Sequence, residues 1–250
     1  MTAFIGLDLA WTAHHESGIC VIEGSGADAR LKLLAAEIHT PEWFAALCRD
    51  AGRDVVAAID APLIVQPERR AERELATVFG RAKAGAYSAN LPFLTRMNGL
   101  AGPNLAALLA EDGFNLNPAH VLARCTGRFA LEVFPHPAHV ELFSLAERLP
   151  YKKGRIALRR EGFVIYQDHL RTLLSRELPA IGMDERVQWL LSPEAVVLGG
   201  KALKRVEDQL DALTCAYVAH HCWTFGVDGF RVFGDPATGT ITVPKLMPRI

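Results

Sequence analysis

Phe4-Ile5-Gly6-Leu7-Asp8-Leu9-Ala10-Trp11 is a short apolar run with one carboxylate near its end. It reads as a buried strand that carries an acid to its tip. Working outward, residues 17–22 and 31–38 are two more β-rich runs. The connector Glu23-Gly-Ser-Gly-Ala-Asp28 between them has hairpin chemistry. Thr40-Pro41-Glu42 then opens a helix, with Thr as N-cap, Pro in the first position and an acid in the first turn. Its apolar stripe is Trp43, Leu47 and Phe44, and it stops near Gly52. Val55-Val-Ala-Ala-Ile59 is too short for a helix and reads as a buried strand that ends at Asp60, where Pro62 blocks continuation. A right-handed crossover brings this fourth strand beside the first. The order predicts a mixed sheet in which the first strand is central and Asp8 and Asp60 lie on neighbouring strands.

Farther along, residues 68–79 read as a basic helix, 83–102 as irregular and 103–111 as a short helix. Phe129-Ala-Leu-Glu-Val-Phe134 returns to strand and is broken by Pro135-His-Pro137. Residues 138–148 and 156–177 read as helices, and 206–223 as a strongly apolar one. Two last strands flank Gly234-Asp-Pro-Ala-Thr-Gly239. In 250 residues no stretch has linker composition, so one domain over 1–250 with an insertion at about 80–128 is expected.

With 50% hydrophobic and 22% charged residues, the chain is not disordered. Its 27 basic and 28 acidic residues leave a net charge of −1, so a polyanion would have to be gripped by local basic patches. Five cysteines, an odd number without a CxxC pair, argue against a disulfide framework and a zinc ribbon, and for reduced thiols in a cytoplasmic protein. The N-terminus has no basic segment of a signal peptide, and no run approaches a membrane span.

Acids recur where apolar elements end: Asp8, Asp60, Glu132, and the pair Asp208 and Asp211 on the apolar helix. Residues three apart share a helix face, so the pair can address one site. Singly, each acid is explained as a cap, a solvated first turn or, for Glu132, a partner of Arg128. Together they need a counter-charge, and hard oxygen donors suit Mg2+ or Mn2+. Two such ions can activate water and hold the leaving oxygen of a phosphodiester. Lys204 and Arg205, one turn before the acids, are the candidate phosphate contacts. His136, four residues after Glu132, is a candidate beside them. His136, His139, His220 and His221 have no cysteine at ligand spacing, which disfavours zinc. The basic group at residues 152–160 reads as a solvated face, and Tyr87 or Phe93 as either a base-stacking ring or an anchor for the insertion.

IGLDLAW (5–11), AIDAPL (58–63), EVFPHP (132–137), DQLDAL (208–213) and FGDPATGTITVP (233–244) together resemble the DUF429 family of predicted nucleases. The resemblance implies a ribonuclease H-like α/β fold, a mixed five-stranded sheet flanked by helices. The DQLDAL helix is also similar to the last catalytic helix of RuvC-type Holliday junction resolvases. By that likeness Asp8, Asp60, Asp208 and Asp211 would be metal ligands of a nuclease acting on nucleic acid, and Glu132 belongs to the DUF429 pattern alone. RuvC-type enzymes usually carry glutamate where this chain has Asp60. The competing expectations are an actin-like ATPase or small-molecule kinase, and a non-catalytic nucleic-acid-binding module of the same fold. The first needs a second core and glycine-rich phosphate loops, and the sequence has no G-x-G-x-x-G or P-loop.

Overall fold

Alternation along the first strand sets the layers of the molecule. In the computed structural model, which describes residues 1–12, 14–25, 28–175 and 180–247, β1 (Thr2–Asp8) pairs antiparallel with β2 (Ser17–Glu23). β2 in turn pairs antiparallel with β3 (Arg30–Glu37). On its other side β1 runs parallel to β4 (Asp54–Ile59), and β4 parallel to β5 (Arg128–Glu132). The order β3-β2-β1-β4-β5 puts β1 in the middle, as expected, and is a ribonuclease H-like arrangement.

Odd and even residues of β1 serve different cores. Ile5 and Leu7, with Val55, Ala57 and Ile59 of β4, pack on α1 (Pro41–Asp50) and α4 (Ala101–Glu111). Phe4, with Val56 and Ala58, packs against α6 (Ile156–Leu174) and α9 (Gly200–Phe225). A third cluster joins Leu75 and Phe79 of α2 (Ala71–Phe79) to the hairpin of β6 (Phe230–Asp235) and β7 (Gly239–Pro244). α5 (Pro135–Leu142) follows β5.

Thr40 caps α1 with its hydroxyl on the Trp43 N–H, at 3.4 Å, as the sequence indicates. Other boundaries moved for local reasons. α2 begins at Ala71 rather than 68, and α5 ends at Leu142, where Ser144 adopts a positive φ of 55°. α9 starts at Gly200, because its polar first turn precedes the apolar stripe that signals the helix. Three short helices were not anticipated: α3 (Leu91–Arg96), α7 (Glu185–Leu190) and α8 (Pro193–Val196). The expected helix end at 176–177 and the connector positions 26–27 lie outside the described residues. All five cysteines are unpaired. Among the described residues no helix is long and apolar enough to cross a membrane.

Two glycines set how closely α9 approaches the sheet. A Cβ on Gly6 would stand 2.0 Å from the Ala212 carbonyl oxygen and 2.2 Å from the Ala216 nitrogen. One on Gly18 would stand 1.9 Å from the Asp208 carbonyl oxygen. The helix backbone therefore rests directly on β1 and β2, and it brings its acids to the end of the strand that carries Asp8. Gly6→Ala must lift α9 and should cost more than the ~1–3 kcal/mol usual for over-packing. Gly85→Ala, whose Cβ would meet only the Ala76 methyl at 3.8 Å, is the neutral control. Urea unfolding of the two variants checks this; equal midpoints would contradict it.

Candidate active site

Register decides which acids meet. The Asp60 N–H donates to the Leu7 carbonyl at 2.8 Å, so Asp60 is the rung beside Asp8, and the Val133 N–H donates to Ile59 at 3.0 Å. Asp8 continues the parity of Phe4, and Asp60 that of Val56 and Ala58, all on the α9 face. Glu132 has the parity of Ala130, on the opposite face. Its carboxylate accepts from Arg69 at 2.5 and 3.1 Å and from the Leu63 N–H at 2.9 Å, and Arg69 also holds Glu72 at 2.8 Å. Glu132 is thus a buried ion-pair partner of Arg69, although it lines a cavity together with Asp60. Burial pushes it up to about 7 against the pull of Arg69. The suggested Glu132–Arg128 pairing does not form either: Arg128 binds the carbonyls of Gly52, Asp112 and Arg49.

The four aspartates share their cations. Asp211, fully buried, accepts from the Tyr151 hydroxyl at 2.8 Å and the Tyr166 hydroxyl at 3.1 Å on Oδ1, and its Oδ2 lies 2.6 Å from Lys152 Nζ. Burial opposes its charge, yet Lys152 and the Tyr151 hydroxyl hold it below the usual carboxylate range. Lys152 also feels Asp8 and Asp60; burial disfavours its charge, but the three aspartates keep it firmly an ammonium. Asp60 is raised well above its ordinary value by burial, with Asp8, Asp211 and Glu132 adding to this against Lys152. Asp8 is raised by burial, and Asp211 adds to the rise while Lys152 and Lys204 oppose it. Asp208 rises to about 8 through burial and the charge of Asp8, opposed by Lys204.

Lys204 reaches both Asp208 and Glu207, the latter at 3.0 Å, and Glu207 also meets Arg159 at 3.2 Å. Arg205 is engaged by Glu16 at 2.6 Å. Both cations expected to face a phosphate are therefore paired inside the protein, with their side chains still about half exposed. His136 is buried beside Tyr151, and burial pushes its imidazole down to about 3, with Lys152 adding to the drop. It is a neutral ring under the site rather than a surface contact. His139, also near 3 through burial, lies under Tyr166 with Nε2 3.4 Å from the Thr214 hydroxyl.

Lys152 was hidden in a basic run that reads as solvent-facing. Several members of that run instead hold other parts of the protein, while Lys153 stays exposed. Arg159 holds the Tyr151 carbonyl at 2.9 Å, Arg160 the Val197 carbonyl at 2.9 Å, and Lys153 approaches Tyr87. Gly162 lets α6 press on Pro150 and fix the turn, since a Cβ there would stand 2.8 Å from the Pro150 carbonyl carbon.

Among the described residues no group of three or more His, Cys, Asp and Glu side chains is arranged as a ready metal site. Two lysine ammoniums stand among the aspartates. Nevertheless the donors fit a hard divalent cation: they are carboxylate oxygens, Asp208 Oδ2 is buried without a hydrogen-bond partner, and the acids outnumber their cations. Asp8, Asp208 and Lys204 line a cavity of about 270 Å³ together with Trp11 and His15. Asp60 lines a second one that also borders Trp11.

The family model described as "Protein of unknown function (DUF429)" matches residues 6–228, and the chain belongs to that family. The match spans all four aspartates and Lys152. No curated protein and no solved structure matches the chain.

The raised Asp208 makes stability depend on pH with a definite sign. Between its ordinary value of 3.8 and about 8, the folded protein keeps a proton that the unfolded chain has released. Asp208 therefore lowers stability without metal as pH rises from about 4 to about 8, and Asp8 and Asp60 act in the same direction, while the depressed His136, His139 and His220 act oppositely below about 6.5. Asp208→Asn mimics the protonated form and should flatten this slope. Urea midpoints in chelator at pH 5 and pH 8.5 test it; an unchanged difference between the two pH values would contradict the shift.

Proposed function

We propose that this DUF429 member is a Mg2+- or Mn2+-dependent nuclease that hydrolyses nucleic-acid phosphodiester bonds. The observation that carries this reading is the meeting of Asp8, Asp60, Asp208 and Asp211, from β1, the end of β4 and α9, beside an open cavity. Five carboxylates, Glu207 included, gather there around the three cations Lys152, Lys204 and Arg159. Fully ionised, that set is costly unless protons or a bound cation offset the excess.

In this reading Asp8, Asp60, Asp208 and Asp211 would hold the metal, which would supply an activated water and charge stabilisation for the leaving oxygen. Tyr151 and Tyr166 fix the rotamer of Asp211 with two hydroxyl hydrogen bonds, and Tyr166 is itself tied to Thr214 at 2.5 Å. Lys152 and the Tyr151 hydroxyl hold Asp211 below the usual carboxylate range, which favours its ionised form. Burial raises Asp60 and Asp208, so a cation taken up there would displace their protons to solvent. Lys204, half exposed over Asp208, lines the cavity and is placed to turn toward a phosphate.

The test is a panel of single-stranded, duplex, branched and RNA–DNA hybrid substrates with Mn2+. Wild type should cleave at least one, and Asp8→Asn should lose turnover by several orders of magnitude while staying folded, since it removes one repelling charge. Glu132→Gln should keep turnover, because its partners are Arg69 and Leu63 rather than the substrate side. Cleavage that survives in Asp8→Asn would overturn the mechanism. Absence of cleavage across the panel would leave a non-catalytic module.

A further inference from the structure

Of the three cations at the candidate site, Lys152 is held differently from the other two. The Lys204 side chain is 54% exposed and free to swing into solvent. Arg159 meets Glu207 at 3.2 Å, an acid outside the four aspartates. Lys152 instead projects among the aspartates themselves. Its Nζ lies 2.6 Å from Asp211 Oδ2, and the charges of Asp8 and Asp60 act on it as well. Asp211 Oδ1 takes both tyrosine hydroxyls, so Oδ2 is the oxygen left to face a cation, and the ammonium has it.

The backbone that delivers this ammonium is anchored on both sides. Arg159 holds the Tyr151 carbonyl at 2.9 Å, and Pro150 lies against Gly162. Lys152 can therefore leave the aspartates only by turning its own side chain. Charge and size decide what can take its place. A monovalent ion brings no more charge than the ammonium, whereas a divalent ion brings twice as much to the same oxygens. Mg2+ sits about 2.0–2.1 Å from its oxygens, against about 2.7–2.9 Å for a charged N–H···O contact, so aspartates spaced around an ammonium must draw inward around a metal ion. An ammonium left among those oxygens would repel the incoming ion.

We propose that Lys152 is the resident cation of this site, and that a divalent ion enters only by displacing its ammonium from Asp211. The proposal rests on reading the aspartates as metal ligands, and not on nucleic acid as the substrate. It makes Lys152 a built-in competitor. The residue balances buried acids in the metal-free protein and sets how much free Mg2+ or Mn2+ is needed to load the site.

Calorimetric titration of the full chain with Mn2+ tests this on wild type, Lys152→Met and Lys153→Met. Methionine keeps most of the apolar stem of lysine and removes the charge. Lys152→Met should bind Mn2+ at least about tenfold more tightly, because a like charge a few ångströms away is gone. Lys153→Met removes the same charge from the exposed neighbour and should stay within about twofold of wild type, since solvent and salt screen it. Should Lys152→Met fail to fold, the wild type carries the test. In protein with 15N-labelled lysine, Mg2+ should shift the Lys152 ammonium signal, assigned by through-bond correlation to its backbone. Equal or weaker Mn2+ binding by Lys152→Met, or a Lys152 signal that Mg2+ does not move, overturns the displacement even in a protein that cleaves nucleic acid. Tighter binding by Lys152→Met with no substrate cleaved supports it and counts against the nuclease reading. Failure of all three proteins to bind Mn2+ overturns both.

Discussion

Lys152 Nζ stands 2.6 Å from Asp211 Oδ2, with Asp8 and Asp60 close enough to hold its proton in place. The rest of the molecule can be understood from what this contact has to balance. Three aspartates at the end of a sheet repel one another, and burial adds to the cost. One ammonium brought in by the turn before α6 offsets part of it. The turn is fixed in its own right: Arg159 grips the Tyr151 carbonyl, Gly162 admits Pro150, and Tyr151 spends its hydroxyl on Asp211. The residual charge is met by protons, which is why Asp60 and Asp208 sit above their ordinary range while Asp211 sits below.

The same constraint explains the unusual composition of α9. The helix is buried along most of its length and still carries Glu207, Asp208, Asp211 and Thr214 on its buried surface. Those groups are tolerable because Gly6 and Gly18 allow the helix to lie against β1 and β2, so each acid meets a partner from another element. About two and a half turns beyond Asp211, the helix returns to apolar and aromatic packing, with His220 stacked on Phe4 at 4.3 Å. Polar cost is thereby confined to one end of the sheet, and the opposite face is apolar through α1 and α4.

Much of this could be read from the chain because it is local. Asp8 and Asp60 stand at the ends of short apolar runs, and Asp208 and Asp211 are three apart on a helix; strand order then brings them together. Glu132 takes a different place from the aspartates for a reason that is also local: alternation puts Asp60 level with Val133, so Glu132 belongs to the other face. Three short helices were passed over although their caps are visible. Asn90 caps the Phe93 N–H, Asp184 caps Arg186 and Val187, and Ser192 precedes Pro193. Helices of four to six residues have too few apolar positions to show a period. Lys152 was out of reach altogether. Its partner is far along the chain, its neighbours are basic, and only the packed fold distinguishes it from Lys153, which faces out toward Tyr87.

A site held ready by protons and lysines should exchange them for a divalent cation. Calorimetric titration of the metal-free protein with Mn2+ at pH 6.5, in buffers of different ionisation enthalpy, reads both binding and the protons released. The account requires binding with net proton release, reduced in Asp208→Asn, whose amide has no proton of this kind to lose. Mn2+ binding without proton release would contradict the protonated aspartates, and failure to bind Mn2+ at all would contradict the metal site itself.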